Sequence, residues 1–322
     1  MENIIQNIHT DLKELEASIQ KLITTKVGFI KEIVNYIIRS GGKRIRPVLV
    51  ILCAKLCGYT DNKHISYAAI IEFIHTATLL HDDVVDNAKL RRGASSVNML
   101  WGNEPSVLVG DFLYSKSFEL MAEDGHHEII KTISKATTAL SEGEILELLQ
   151  TSDIDTTEEQ YFDIVRNKTA MLFSAACEVG GLLGTISEEE RVALRHYGYT
   201  LGVAFQLVDD ILDYTSYDTV LGKQIGTDLK EGKVTLPLIH TIASATPKEK
   251  LSIKKILDKK NVTAGDFERV RRLITKYNGI EYTARIARDY IDDAKQTLSI
   301  FPPSIFKDAL TNLADYIVKR EM

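Results

Sequence analysis

Two aspartate clusters of one design punctuate the chain, Asp82-Asp83-Val84-Val85-Asp86 and Asp209-Asp210-Ile211-Leu212-Asp213, each inside an apolar run. On a helix of 3.6 residues per turn, the first and last aspartates of each cluster stand one turn apart on one face, with the middle one on the flank. Three carboxylates converging on one spot repel one another, and the surrounding Leu, Ile and Val side chains offer little solvation. A hard divalent cation relieves that repulsion. Mg²⁺ takes oxygen ligands, keeps several waters and shares phosphate oxygens, so the pattern predicts metal bridging to a phosphorylated ligand rather than a closed cage. A single such cluster would suit a solvated helix face equally well; its repetition between apolar flanks favours the metal.

Basic groups near the clusters define the ligand further. Gly41-Gly42-Lys43-Arg44-Ile45-Arg46-Pro47 precedes the first cluster, Arg91-Arg92-Gly93 follows it, and Lys223 and Lys233 follow the second. Arginine forks and lysine point charges around an acidic metal site match polyphosphate chemistry, and the paired glycines before Lys43 permit close backbone approach. His75 lies two helical turns before Asp82 on nearly the same face, which suits a hydrogen bond to an anionic head; the plainer reading is a core histidine. His81 points about 100° away from Asp82 and reads as structural. Lys168, Thr169 and Gln206 offer further phosphate donors. No nucleophilic triad, Walker loop or dinucleotide glycine fingerprint stands out.

The elements that must position these groups read as helices. With 44% hydrophobic residues and only 6 prolines in 322, the chain has the makings of a large helical core and not of extended disorder. A net charge of −6 argues against general nucleic-acid binding. Cys53, Cys57 and Cys177 lack the grouping of a zinc site and read as ordinary buried thiols. Neither a leader-like opening nor an uninterrupted apolar span is evident, so a cytoplasmic protein is expected. Ile4 to Leu22 recur at helical spacing, a helix follows Gly41-Gly42, and the run from Ser66 to Leu80 leads into the first cluster. Further helices are expected near 106–122, 127–150, 159–184, 188–217 and 234–245, with smaller ones after Pro247. Strand alternation is weak and no linker separates the clusters. The expectation is an all-α bundle with a central cavity in one domain, 1–322.

GGKRIRP, HTATLLHDDVVD, LRRG, SVLVGDFLYSKSFELM, SEGEILEL, KTA, FQLVDDILDY and GKQIGTDLKEGKVTLPL fall in the order seen in trans-polyprenyl diphosphate synthases. Over roughly residues 38–240 the chain resembles that family, especially the octaprenyl diphosphate synthases that make quinone side chains. Val234 departs from the family's frequent proline. The resemblance implies the following roles. Asp82, Asp83, Asp86 and Asp209, with Asp210 and Asp213 as further candidates, hold Mg²⁺ on an allylic diphosphate such as farnesyl diphosphate. Arg91, Lys168, Thr169, Gln206, Lys223 and Lys233 stabilise departing pyrophosphate. Lys43, Arg46, His75 and Arg92 hold isopentenyl diphosphate. Ala77 and Thr78, small residues beneath the first cluster, leave a tunnel open toward a floor for which Met121 and Ile133 are candidates, although a bland core role suits them as well. A homodimer is implied, with at most transient membrane-surface contact for product release. A class I terpene cyclase shares the first aspartate motif, but its second motif normally mixes other residues. A non-catalytic partner subunit would show eroded motifs, and these are intact.

Overall fold

Apolar residues at helical spacing build almost every element of this chain. The structure is a computed structural model and describes residues 6–215, 226–259 and 261–319. A 3-10 turn, Gln6–Ile8, opens into α1 (His9–Leu22), followed by α2 (Gly28–Arg39), α3 (Ile45–Leu56) and α4 (Lys63–Val85). A hairpin of β1 (Leu90–Arg91) and β2 (Ala94–Ser95) precedes α5 (Val97–Trp101), α6 (Asn103–Asp124) and α7 (His127–Gln150). Next come α8 (Glu158–Val165), a π-turn (Arg166–Ala170), α9 (Met171–Leu183) and α10 (Glu188–Thr215). After α11 (Thr227–Lys230) the chain forms α12 (Leu236–Ser244), α13 (Pro247–Leu257), α14 (Ala264–Lys276), α15 (Gly279–Thr297), a 3-10 turn and α16 (Ile305–Lys319). The fold is all-α, as expected.

α3 is apolar nearly all round and buried from Ile45 to Ala54 except at Arg46, which makes it a central helix. α4 packs on one side of it and α9 on the other; α6 covers α4, α10 covers α9, and α15 lies along α10. The two aspartate clusters therefore ride on the first and last members of the series α4, α3, α9, α10. The α9–α10 approach is close because α10 carries glycine one turn apart: a Cβ on Gly198 would stand 2.5 Å from the Phe173 carbonyl oxygen, and one on Gly202 would stand 2.7 Å from the Ala170 Cα. Helix starts follow local chemistry. Thr157, Thr246 and Thr263 form capping boxes with Gln160, Glu249 and Asp266, and Pro247 occupies a first-turn position where its missing N–H costs nothing.

Several expectations need correction. α2 was not anticipated, although Ile33, Val34, Ile37 and Ile38 give it a buried stripe. The helix expected over 159–184 is found over 158–183, but it carries a π-turn whose extra residue leaves no mark on hydrophobic periodicity. The elements after Pro247 are not small: α15 has 19 residues and braces α10. The hairpin went unseen because two-residue strands are too short to alternate. Cys53 and Cys177 are buried and Cys57 half-buried, in keeping with ordinary thiols.

Gly198→Ala should lower stability by about 1–3 kcal/mol, since the nearest obstruction is backbone that cannot move aside. Gly28→Ala, where a Cβ meets nothing within 4 Å, should be neutral or stabilising. Urea unfolding midpoints compare them, and equal midpoints would refute the close-contact account.

Candidate active site

The first cluster ends α4, where the last carbonyls form the negative pole of the helix dipole. Its three carboxylates do not converge. One residue along a helix turns a side chain by about 100°, and Asp83 accordingly faces the hairpin, where it is fully buried and accepts from Nε (2.9 Å) and Nη2 of Arg91. Asn98 donates to the Asp83 carbonyl at 3.0 Å and fixes the same corner. Asp82 and Asp86 face the other way. Burial, and then the nearby Glu144 carboxylate, push the Asp82 carboxyl up to about 8, against the pull of Lys168 and Arg91. Asp86 accepts from Lys233 Nζ at 3.3 Å.

Beside them lies a lysine–glutamate lattice. Lys168, on the π-turn, donates to Glu144 (2.8 Å) and Glu147 of α7, while Lys233 donates to Glu231 at 2.7 Å and stands 3.7 Å from Glu147. A Cβ on Gly143 would lie 2.6 Å from the Lys168 nitrogen, so glycine there lets α7 touch the π-turn. Surrounding carboxylates hold both ammonium groups above the usual lysine range despite burial. Thr169 donates to Gln206 at 2.9 Å, and Gln206 Nε2 donates to Asp210 at 2.8 Å, so these expected phosphate donors also order the second cluster. Tyr161 donates to the other Asp210 oxygen; burial outweighs both bonds and pushes that carboxyl up to about 7. Asp213 accepts the backbone amides of Thr227 and Asp228, each at 3.1 Å, and so caps α11. Asp209 is half-buried, and Lys223 lies outside the described residues.

The basic motifs assemble separately. Arg46 lies over the Phe173 ring at 4.5 Å and donates to His75 Nε2 at 3.3 Å, and its Nε is buried without a partner. Burial lowers Arg46 to about 10, with Arg92 adding like charge, so it remains a cation at neutral pH. Burial and four arginines depress His75 well below the usual imidazole range and keep it neutral. Arg92 (φ 55°) and Gly93 (φ 79°) form the two-residue turn of the hairpin, and a Cβ on Gly42 (φ 150°) would lie 2.7 Å from Arg92 Nη1. The glycine pair thus brings its loop against an arginine. Lys43 is exposed and its ammonium stands over the Tyr316 ring at 5.7 Å. His81 Nε2 lies 3.1 Å from the Val107 carbonyl, a structural contact as expected. Ala77, Met121 and Ile133 are wholly buried, while Thr78 is only half-buried.

Among the described residues no three His, Cys, Asp or Glu side chains gather as a metal cage. The expected convergence of three carboxylates is replaced by partly exposed oxygens balanced by lysine, Lys233 on Asp86 standing where a cation is wanted. Asp82 and Asp86 on α4, and Asp209 on α10, offer only oxygen donors, the donor type that suits a hard cation. Glu144, Glu147, Tyr161, Asp228 and Glu231 were missed by sequence reasoning. Four of them sit inside the motifs SEGEILEL and GTDLKEGK, with acids at helical i, i+3 spacing as the signal; a search for phosphate donors passes over acids.

Residues 27–274 match the family model described as Polyprenyl synthetase. The chain is 40% identical to octaprenyl diphosphate synthase of Escherichia coli (strain K12), over 100% of this chain and 99% of that one. A polyprenyl synthase from Caulobacter crescentus CB15, solved with calcium and isoprenyl diphosphate, superposes with a TM-score of 0.96 at 39% identity, covering 100% of this chain and 98% of the other. A decaprenyl diphosphate synthase from Rhodobacter capsulatus gives 0.94 at 40% identity, covering 99% and 98%.

Gly42→Ala should displace Arg92 and weaken pyrophosphate binding in metal-free buffer about tenfold, the worth of one charge-assisted contact. Titration calorimetry would measure it, and an unchanged dissociation constant would break the link between the glycine and the arginine.

Proposed function

The chain belongs to the polyprenyl synthetase family and is a prenyltransferase; within that family we propose that it is an all-trans-octaprenyl diphosphate synthase serving quinone side-chain synthesis. In this reading it condenses isopentenyl diphosphate repeatedly onto an allylic diphosphate such as farnesyl diphosphate. The observation that carries the reading is the presence of two anion sites of different character. One is an acidic, lysine-balanced site at the ends of α4 and α10; the other is the arginine-rich Arg46–His75–Arg92 cluster. A terpene cyclase, with one diphosphate to hold, does not call for the second. A non-catalytic subunit does not call for both to be intact.

Asp82, Asp86 and Asp209 would hold Mg²⁺, with Asp83, Asp210 and Asp213 acting mainly on Arg91, Gln206 and α11. Bound Mg²⁺ supplies charge that stabilises the pyrophosphate leaving group. Lys168 and Lys233 deliver ammonium groups to the same leaving group as it departs, and Thr169 and Gln206 orient it. Lys43, Arg46, His75 and Arg92 bind isopentenyl diphosphate so that its double bond meets the allylic cation. Loss of a proton then yields a chain five carbons longer, and the apolar walls keep water from the cation. Pyrophosphate is the base in this scheme, consistent with a neutral His75 committed to Arg46. Continuous packing from α1 to α16 supports treating 1–322 as one catalytic domain. The assembly proposed is a homodimer: Leu108, Ile145, Leu148 and Leu149 expose apolar surface on α6 and α7, Leu149 at 72%. No helix among the described residues is long and apolar enough to cross a membrane, which accords with a cytoplasmic enzyme touching membrane only for product release.

Purified protein given farnesyl diphosphate, labelled isopentenyl diphosphate and Mg²⁺ should make a product of roughly eight isoprene units, and Asp82→Ala or Asp209→Ala should cut turnover by about 10²-fold or more with helical content intact. Near-native turnover in either variant at saturating Mg²⁺ would remove these residues from the site. Thr78→Phe should shorten the product, because a ring at this half-buried position narrows the wall beneath Asp82; Ala77, wholly buried, is the poorer probe. A product of unchanged length would place the tunnel elsewhere. Light scattering should return twice 36.1 kDa, and a monomer mass would refute the dimer.

A further inference from the structure

One buried acid outside the aspartate clusters bears on the basic cluster. Glu72 is 3% exposed, lies one helical turn before His75 on α4, and accepts from Arg44 Nη1. Arg44 is not held out toward a ligand. Its Nη2 donates to the Ile38 carbonyl at 3.1 Å, closing the C-terminal turn of α2, and its Nε donates to Glu16 of α1 at 3.2 Å. Its backbone is left-handed (φ 49°) at the residue that opens α3. One guanidinium therefore ties α1, α2 and α4 together at the point where the loop of Gly41 and Gly42 turns into α3. Lys43 and Arg46 stand on either side of that point.

From this geometry we infer that Glu72 is a positioning residue for the isopentenyl diphosphate site: it anchors Arg44, and through Arg44 it fixes the loop that presents Lys43 and Arg46 and seats Gly42 against Arg92. The inference rests on the assignment of that substrate to this cluster. Among the three consecutive-motif cations, Arg44 is then the structural one and its neighbours are the ligand-facing ones. Glu72 never touches substrate; it sets the angle at which the cations meet it. The contact also explains a buried carboxylate beside an anion site, where it would otherwise repel the ligand.

The test separates positioning from general stability. Glu72→Gln should raise the KM for isopentenyl diphosphate about tenfold or more while leaving the allylic KM within about twofold and kcat within about threefold. Glu72→Asp, which keeps the charge, should restore part of the loss, and Arg44→Lys, which keeps charge but not the fork, should reproduce the same split. Calorimetric binding of isopentenyl diphosphate to each variant, with melting temperatures alongside, provides a readout that does not need turnover. An unchanged isopentenyl diphosphate affinity in folded Glu72→Gln overturns the inference, as do equal rises in both KM values. Failure of all three variants to fold would overturn it too, by making the contact purely structural. If the wild type binds isopentenyl diphosphate yet forms no prenyl product, it is the synthase reading that fails, and the binding data still decide the role of Glu72.

Discussion

The structure is organised around negative charge that has been forced into an apolar place. Asp82 and Asp86 sit at the end of α4, where the helix dipole is already negative, and Glu144 and Glu147 of α7 stand close by. No single cation offsets this. Lys168 comes from a π-turn, Lys233 from the segment after α11, and Arg91 from the hairpin, so three separate elements are drawn to the tip of one helix. The shared carboxylate of Glu147, within reach of both lysines, makes the lattice one electrostatic unit. On the proposed function, a diphosphate with its divalent cations would carry charges complementary to this lattice of carboxylates and lysines.

The scaffold meets that demand through close backbone contact. Glycines on α10 and α7 let helices approach until backbone meets backbone, which places the two aspartate helices at a fixed separation across α3 and α9. Side chains that sequence reading treats as independent donors are thereby linked in series: Thr169 to Gln206, Gln206 to Asp210, and Tyr161 to Asp210 from the other side. Such chains rigidify a site before substrate arrives.

Much of this was legible in the sequence. The bounds of α7 and the start of α10 follow from apolar periodicity and acidic first turns, and Arg44, the one cation of GGKRIRP given no ligand role by the resemblance, is held by Glu72, Glu16 and the Ile38 carbonyl. What stayed hidden has physical reasons. Glu144, Glu147 and Asp228 are acids whose importance depends on lysines far away in sequence. The inward turn of Asp83 depends on an arginine eight residues on, placed by a hairpin too short to signal itself. Periodicity reports which face is buried and is silent about a π-turn that rotates Lys168 and Thr169 into place.

The hairpin turn carries a further implication. Arg91 grips Asp83, beside Asp82 and Asp86 in the chain, and Arg92, the next residue, lies against Gly42 in the basic cluster. A turn of two residues, both with positive φ, has almost no internal slack, so a displacement of one guanidinium is felt by the other through a single peptide unit. The two anion sites therefore share a fulcrum. Thermodynamic reciprocity then requires that whatever the first ligand does to the affinity for the second, the second does in equal measure to the first. On the proposed assignment, with the growing chain held at one site and its partner substrate refilled at the other, that common pivot would make loading and retention two readings of one balance.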